Sequence, residues 1–189
     1  MILLIDNYDP AMREFYKYAS DICGDINVIR NDEMSADDIC ALSPDAVIIG
    51  SGCGNVSDTG ICISIIDILP EKTPVLGIGL GAEIIANYLG ASFVNSGNTG
   101  KNVFNTGLDR SCSIFKNMPE FAECRADILK SLSSFCLSEN VLVTARDEYG
   151  RNIAFCSRNR NMFGICPYPI FFGDEGKNII RSFVSIIGE

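Results

Sequence analysis

Histidine is absent from all 189 residues. That gap removes the commonest general base at neutral pH and the commonest metal ligand, and with them the Ser-His and Cys-His nucleophile pairs. Long apolar runs are missing as well. Each hydrophobic stretch is broken by Gly, Pro or charge well short of the roughly 20 residues that a membrane span requires, so no membrane segment is expected. The opening MILLIDNYD is apolar for only a few residues and has neither a basic n-region nor a cleavage site; it reads as a first strand and not as a signal peptide. Basic charge is scarce. Fifteen Lys and Arg against 24 Asp and Glu leave a net charge of −9, which disfavours nucleic acid and anionic lipid as partners and suits a cytoplasmic protein. The nine cysteines are odd in number, irregular in spacing and never arranged as Cys-x-x-Cys. This argues against a secreted disulfide framework or a zinc ribbon, and most of them read as small reduced core residues. There is no internal repeat, no low-complexity tract and no linker.

What remains is a chain that is 47% hydrophobic, enough to bury a core within the roughly 100–200 residues usual for one domain. Residues 1–189 are therefore read as a single domain. Short apolar runs, MILLI (1–5), INVIR (26–30), DAVIIG (45–50) and PVLGI (74–78), alternate with helical stretches. Met12, Phe15, Tyr16 and Ala19 fall at helical spacing within residues 10–22. Ser35, three positions before Asp38, reads as a weak capping-box start for a helix over 36–41. Residues 61–69 and 82–90 complete the alternation, the latter ending in Gly90. Such alternation predicts an α/β fold with a mostly parallel sheet covered on both faces. The second half turns strand-like in SFVNS, NVFNTG and MFGICP. VLVTARDEYGRNIAFCS reads as a hairpin turning near Glu148–Gly150, and residues 174–187 read as a C-terminal helix.

Taken in order, MILLIDNYD, VIRNDE, GSGCGNVSDTG, PVLGIGLGAE and FGICPYP resemble the class I glutamine amidotransferases nearly end to end. LLIDNYD and VIRNDE point to the branch formed by the small subunits of anthranilate synthase and aminodeoxychorismate synthase. The resemblance implies a three-layer, flavodoxin-like α/β fold with antiparallel strands added in the C-terminal half. It implies no cofactor and no metal, and as partner a chorismate-utilising synthase large subunit that accepts ammonia. It also implies glutamine hydrolysis by a cysteine thiolate, a histidine base and an orienting glutamate, with backbone N–H groups stabilising the oxyanion.

This chain departs from that chemistry at each position. The family's Gly-x-Cys-x-Gly elbow matches GIGLG, with Gly79 at the cysteine position. The His-Pro-Glu segment matches YPI, with Tyr168 and Ile170 at the histidine and glutamate positions. The His-Gln that follows the elbow becomes Ala82 and Glu83, and an ionised carboxylate accepts hydrogen bonds where an amide also donates. A His-Ser-Leu segment aligns with Asp127, Ile128 and Leu129, and a His-Gly-Lys segment with Thr99, Gly100 and Lys101. The oxyanion loop becomes SGCG, keeping Gly52 and Gly54. Gly52, Cys53, Gly54, Leu80 and Glu83 are thus the expected remnant of the oxyanion and substrate pocket. The triad is expected to be lost, and the chain is expected to be a non-catalytic scaffold, regulatory or ligand-binding subunit. The alternative is an enzyme with different chemistry, using Cys53 or Cys166 as nucleophile. Cys53 lies in a glycine-rich loop ahead of a helix, where N–H groups depress a thiol pKa, and alternation would turn Cys166 and Tyr168 to the same side. Tyr168 either fills the emptied pocket or hydrogen-bonds across it. Asp6 and Asp9, just past the first strand, read as turn formers.

Overall fold

A computed structural model describes residues 1–96, 103–127 and 130–188. In chain order the elements are β1 (Ile2–Asn7), α1 (Met12–Cys23), β2 (Ile26–Arg30), α2 (Ala36–Ala41), β3 (Ala46–Gly52), α3 (Cys62–Ile68), β4 (Val75–Ile78) and α4 (Leu80–Tyr88). They continue as β5 (Phe93–Asn95), β6 (Phe104–Leu108), β7 (Phe121–Cys124), β8 (Lys130–Leu132), β9 (Val141–Asp147), β10 (Asn152–Ser157), β11 (Met162–Ile165) and α5 (Gly176–Val184).

The strands form one sheet in the order β2-β1-β3-β4-β11-β10-β9-β6-β7, with β5 and β8 attached beside β10. From β2 to β11 the neighbours are parallel, and beyond β11 they are antiparallel. The change of direction follows from the connections. Helices return the chain between the first four strands, whereas the turn at Glu148–Gly150 joins β9 to β10 directly, with Gly150 N–H donating to Asp147 O.

The parallel strands read as unbroken apolar runs because both of their faces are covered. Ile2, Leu4, Ile48, Leu76 and Ile78 pack with Phe15 and Ala19 of α1 and Ile179 and Phe183 of α5. Leu3, Ile5, Val47, Ile49 and Val75 pack on the other side with Ile39 of α2, Ile65 of α3 and Ile84 and Ile85 of α4. The period-two alternation along each strand assigns its side chains to the two layers. This is the three-layer architecture expected from the sequence.

Local signals hold where they were strong. Ser35 Oγ accepts from Asp38 N–H at 3.2 Å and caps α2, and Gly90 closes the helix before it at φ 82°. The C-terminal helix starts later than its apolar pattern suggested, at Gly176. Residues Pro169–Glu175 form tighter 3-10 turns, broken at Gly173 with φ 61°. Strands β7 and β8 carried no readable signal. β7 is a four-residue edge and β8 has three residues, and pairing with neighbours distant in sequence makes them strands.

Candidate functional site

The site is built around the turn between β4 and α4. Gly79 stands at its apex with φ 56° and ψ −113°, a backbone conformation that L side chains rarely adopt. Its N–H donates to Ile165 O of the neighbouring strand at 2.9 Å, and its carbonyl accepts from Glu83 N–H at 3.1 Å. The flanking glycines serve close approach. A Cβ on Gly77 would run into the Gly81 peptide, and one on Gly81 would overlap the Ile49 carbonyl of β3. Helix α4 therefore sits directly on β3 and β4 and aims its N-terminus at the C-terminal edge of the sheet. A sharp strand-to-helix turn of this form is the mount on which many hydrolases carry a nucleophile.

Here the mount carries none, and its space is taken. A Cβ built on Gly79 would overlap Ser51 Oγ and lie 2.8 Å from Ser51 Cβ. Ser51 ends β3 beside Gly52, and its hydroxyl accepts weakly from Leu80 N–H at 3.4 Å. Ser51 opens the SGCG loop that the resemblance matches to the oxyanion loop, but the sequence does not show that its side chain fills the apex. Its role is visible only in space, because a whole strand and helix separate it from the turn it fills.

Beside Gly79 lies a cavity of about 240 Å³ lined by Ser51, Gly52, Gly54, Leu80, Glu83 and Cys166, together with Phe93, Asp127 and Lys130. The expected remnant residues Gly52, Gly54, Leu80 and Glu83 thus come together around the elbow. Gly52 is a glycine because a Cβ would meet the Asn7 backbone, and Gly54 because its φ is 135°. Glu83, in the first turn of α4, accepts from Lys130 Nζ of β8 at 2.8 Å. Lys130 is a participant that no motif announced, since β8 itself was illegible. Ile128, Leu129, Thr99, Gly100 and Lys101 lie outside the described residues.

The two candidate thiols fare differently. Cys166 lines the cavity, but burial pushes its thiol far above the ordinary range, the reverse of what activates a nucleophile. Cys53 is exposed and does not line this cavity. It faces a separate hollow with Asn7, Tyr8, Asn31, Asp58 and Leu80. The helix expected just after it is a single 3-10 turn, Val56–Asp58, and α3 begins only at Cys62.

Tyr168 does not line the cavity either. β11 ends at Ile165 and Pro167 follows, so the strand alternation that would pair Tyr168 with Cys166 stops short. The Tyr168 ring packs 5.2 Å from Phe15 and its hydroxyl donates to Asp9 Oδ2 at 2.9 Å. Burial, then the Asp9 carboxylate, hold the phenol well above its usual pKa, so it stays protonated. Ile170 is half-buried against the same core layer. Asp6 and Asp9 act as turn formers: Asp6 Oδ1 accepts from Asp9 N–H and Asp9 Oδ1 from Ala11 N–H. Asn7 beside them has no local signal that marks it, yet it is a buried hub. It donates to Gly50 O at 2.8 Å and accepts from Asn31 Nδ2 and the Cys62 thiol.

The match to known proteins follows this geometry. Residues 3–166 fit the model of the family described as glutamine amidotransferase class-I. The chain belongs to that family. It is 31% identical over 195 residues to anthranilate synthase component 2 of Methanothermobacter marburgensis, covering 97% of each chain. It is 28% identical over 197 residues to aminodeoxychorismate synthase component 2 of Klebsiella aerogenes, covering 98% of this chain and all of that one. Among solved structures, a putative GMP synthase component from Thermoplasma acidophilum superposes with a TM-score of 0.84 at 20% identity, over 98% of this chain and 92% of that one. The expected family and fold therefore stand. Among the described residues of this family member no helix is long and apolar enough to cross a membrane.

Proposed function

We propose that this chain is a component-2-type subunit that has lost glutamine hydrolysis and serves a larger, chorismate-utilising synthase as a non-catalytic scaffold or regulatory subunit. The observation that carries this reading is the occupied elbow. A class I amidotransferase needs a thiol on the apex residue; Gly79 has no side chain, and Ser51 fills the space its β-carbon would need. The chain has no histidine to act as base. By the family resemblance, Tyr168 and Ile170 hold the base and orienter positions; the Tyr168 hydroxyl donates to Asp9, and Ile170 has no polar atom on its side chain. The retained elbow is a requirement of the fold, because the glycines let α4 pack on β3 whether or not chemistry follows.

The test is direct. The purified chain is incubated with glutamine, alone and with the large subunit that co-purifies with it from its native cell, and ammonia is measured. The expected result is no release above a protein-free control, and synthase activity that depends on added ammonium. Glutamine-dependent ammonia release in either arm would overturn the proposal. Recovery of no chorismate-utilising partner would overturn the scaffold role.

A further inference from the structure

The opposite end of the sheet carries a second cavity, of about 470 Å³, that the family reaction does not use. Its lining includes Lys72, Cys112, Cys156, Arg158 and Arg160. It lies away from the elbow, at the edge where β11 begins and β10 ends. Two thiols from different parts of the chain meet there. Cys156 is the fifth residue of β10. Cys112 belongs to the turn after β6, held by its N–H donating to Asp109 O at 3.1 Å, while Asp109 N–H donates to Thr144 O of β9 at 2.8 Å. That turn folds over β9 towards β10, and Cys112 is buried in the core layer against which Cys156 packs. Both thiols line the cavity and act directly on one another. Cys156 is half-buried and Cys112 is buried.

We propose that Cys112 and Cys156 form a hydroperoxide-reactive dithiol site, in which oxidation joins the two sulfurs in a reversible disulfide beside this cavity. The order of the steps follows from the surroundings. The neighbouring Cys112 thiol lowers the Cys156 thiol below its ordinary value, and the Arg158 charge acts in the same direction; partial burial and the Asp109 charge oppose them. Cys112, by contrast, is held well above its ordinary value by the neighbouring Cys156 thiol and by burial. Cys156, the less buried of the two and lining the cavity beside Arg158, is therefore the thiolate that attacks. Its sulfur takes one oxygen from the hydroperoxide, forming a sulfenic acid as the O–O bond breaks and the leaving oxygen picks up a proton. The Cys112 sulfur then attacks the Cys156 sulfur. The S–O bond breaks, the Cys112 proton leaves with the hydroxide as water, and the S–S bond forms. With hydrogen peroxide the sum is two thiols and one peroxide to one disulfide and two waters. A cavity lined by Lys72 and Arg158 admits the small oxidant and the reductant that reverses the bond.

The experiment uses the full chain, both unaltered and with the exposed Cys53 and Cys136 changed to serine. Each is treated with hydrogen peroxide, alkylated, digested and mapped by mass spectrometry. The expected product is a peptide pair linked through Cys112 and Cys156, two hydrogen masses lighter than the separate peptides and released by dithiothreitol. In Cys112→Ser the reaction should stop at a Cys156 sulfenic acid, trapped by dimedone. A map of the unaltered chain in which both residues stay alkylated after peroxide, or in which Cys156 pairs with a different cysteine, would overturn the proposal even if the serine variant fails to fold.

Discussion

Replacing Gly79 by alanine should destabilise the fold through two separable effects, and Ser51 allows them to be separated. The new Cβ must tolerate φ 56° and ψ −113°, a strain of about 1–3 kcal/mol. It must also displace Ser51. Rotating the Ser51 hydroxyl relieves the overlap with Oγ but leaves the two β-carbons 2.8 Å apart, so β3 or the elbow has to move, a further overpacking cost of about 1–3 kcal/mol. The single variant should therefore lose about 2–6 kcal/mol in urea unfolding, seen as a lower midpoint at unchanged m-value. Ser51→Gly alone should cost about 1 kcal/mol, from chain entropy and the weak contact to Leu80 N–H. In the double variant the steric part vanishes and only the backbone strain remains. The cycle should show a favourable coupling of about 1–3 kcal/mol, and Ser51→Ala, which keeps its β-carbon, should recover only part of it. Additivity within about 0.5 kcal/mol would refute the claim that Ser51 occupies the nucleophile's space. The same reasoning predicts that Gly79→Cys by itself yields a less stable chain without glutaminase activity.

Gly81→Ala, whose Cβ would overlap the Ile49 carbonyl, should cost about 2–4 kcal/mol by urea unfolding, because backbone on both sides must move. Tyr168→Phe removes the donor to Asp9 Oδ2 and keeps the packing on Phe15, so thermal unfolding should report a loss of about 1–2 kcal/mol. Burial raises the Cys62 thiol from 9.0 to about 12, so the folded state keeps a proton that the unfolded chain releases. Its contribution is complete below pH 9 and is lost between pH 9 and about 12, at up to about 1.4 kcal/mol per pH unit. Urea unfolding across that range should show the decline, and Cys62→Ala should make it shallower by one thiol's share; an unchanged slope in that variant would contradict the assignment.

The sequence alone determined the class of the fold and the existence of the elbow. Both rest on local, periodic information. Apolar runs such as ILLI and AVII are continuous only because two layers cover them, and GIGLG can only be a place where a helix is pressed onto strands. The absence of histidine, likewise, is a property of composition that no packing can reverse. The occupancy of the pocket was decided only in three dimensions. Ser51, Gly79 and Lys130 come from three distant segments, and no spacing rule connects them. Cys53 and Cys166 look equivalent as cysteines near family motifs, yet Cys166 faces the cavity with a thiol that burial keeps protonated, while Cys53 points to a different hollow. Tyr168 is one residue past Pro167, and that break in the strand turns it away from Cys166 and towards Asp9. Periodicity fixes which face a residue belongs to while an element lasts. Where the element ends, the long-range contacts of the packed chain determine what each side chain meets.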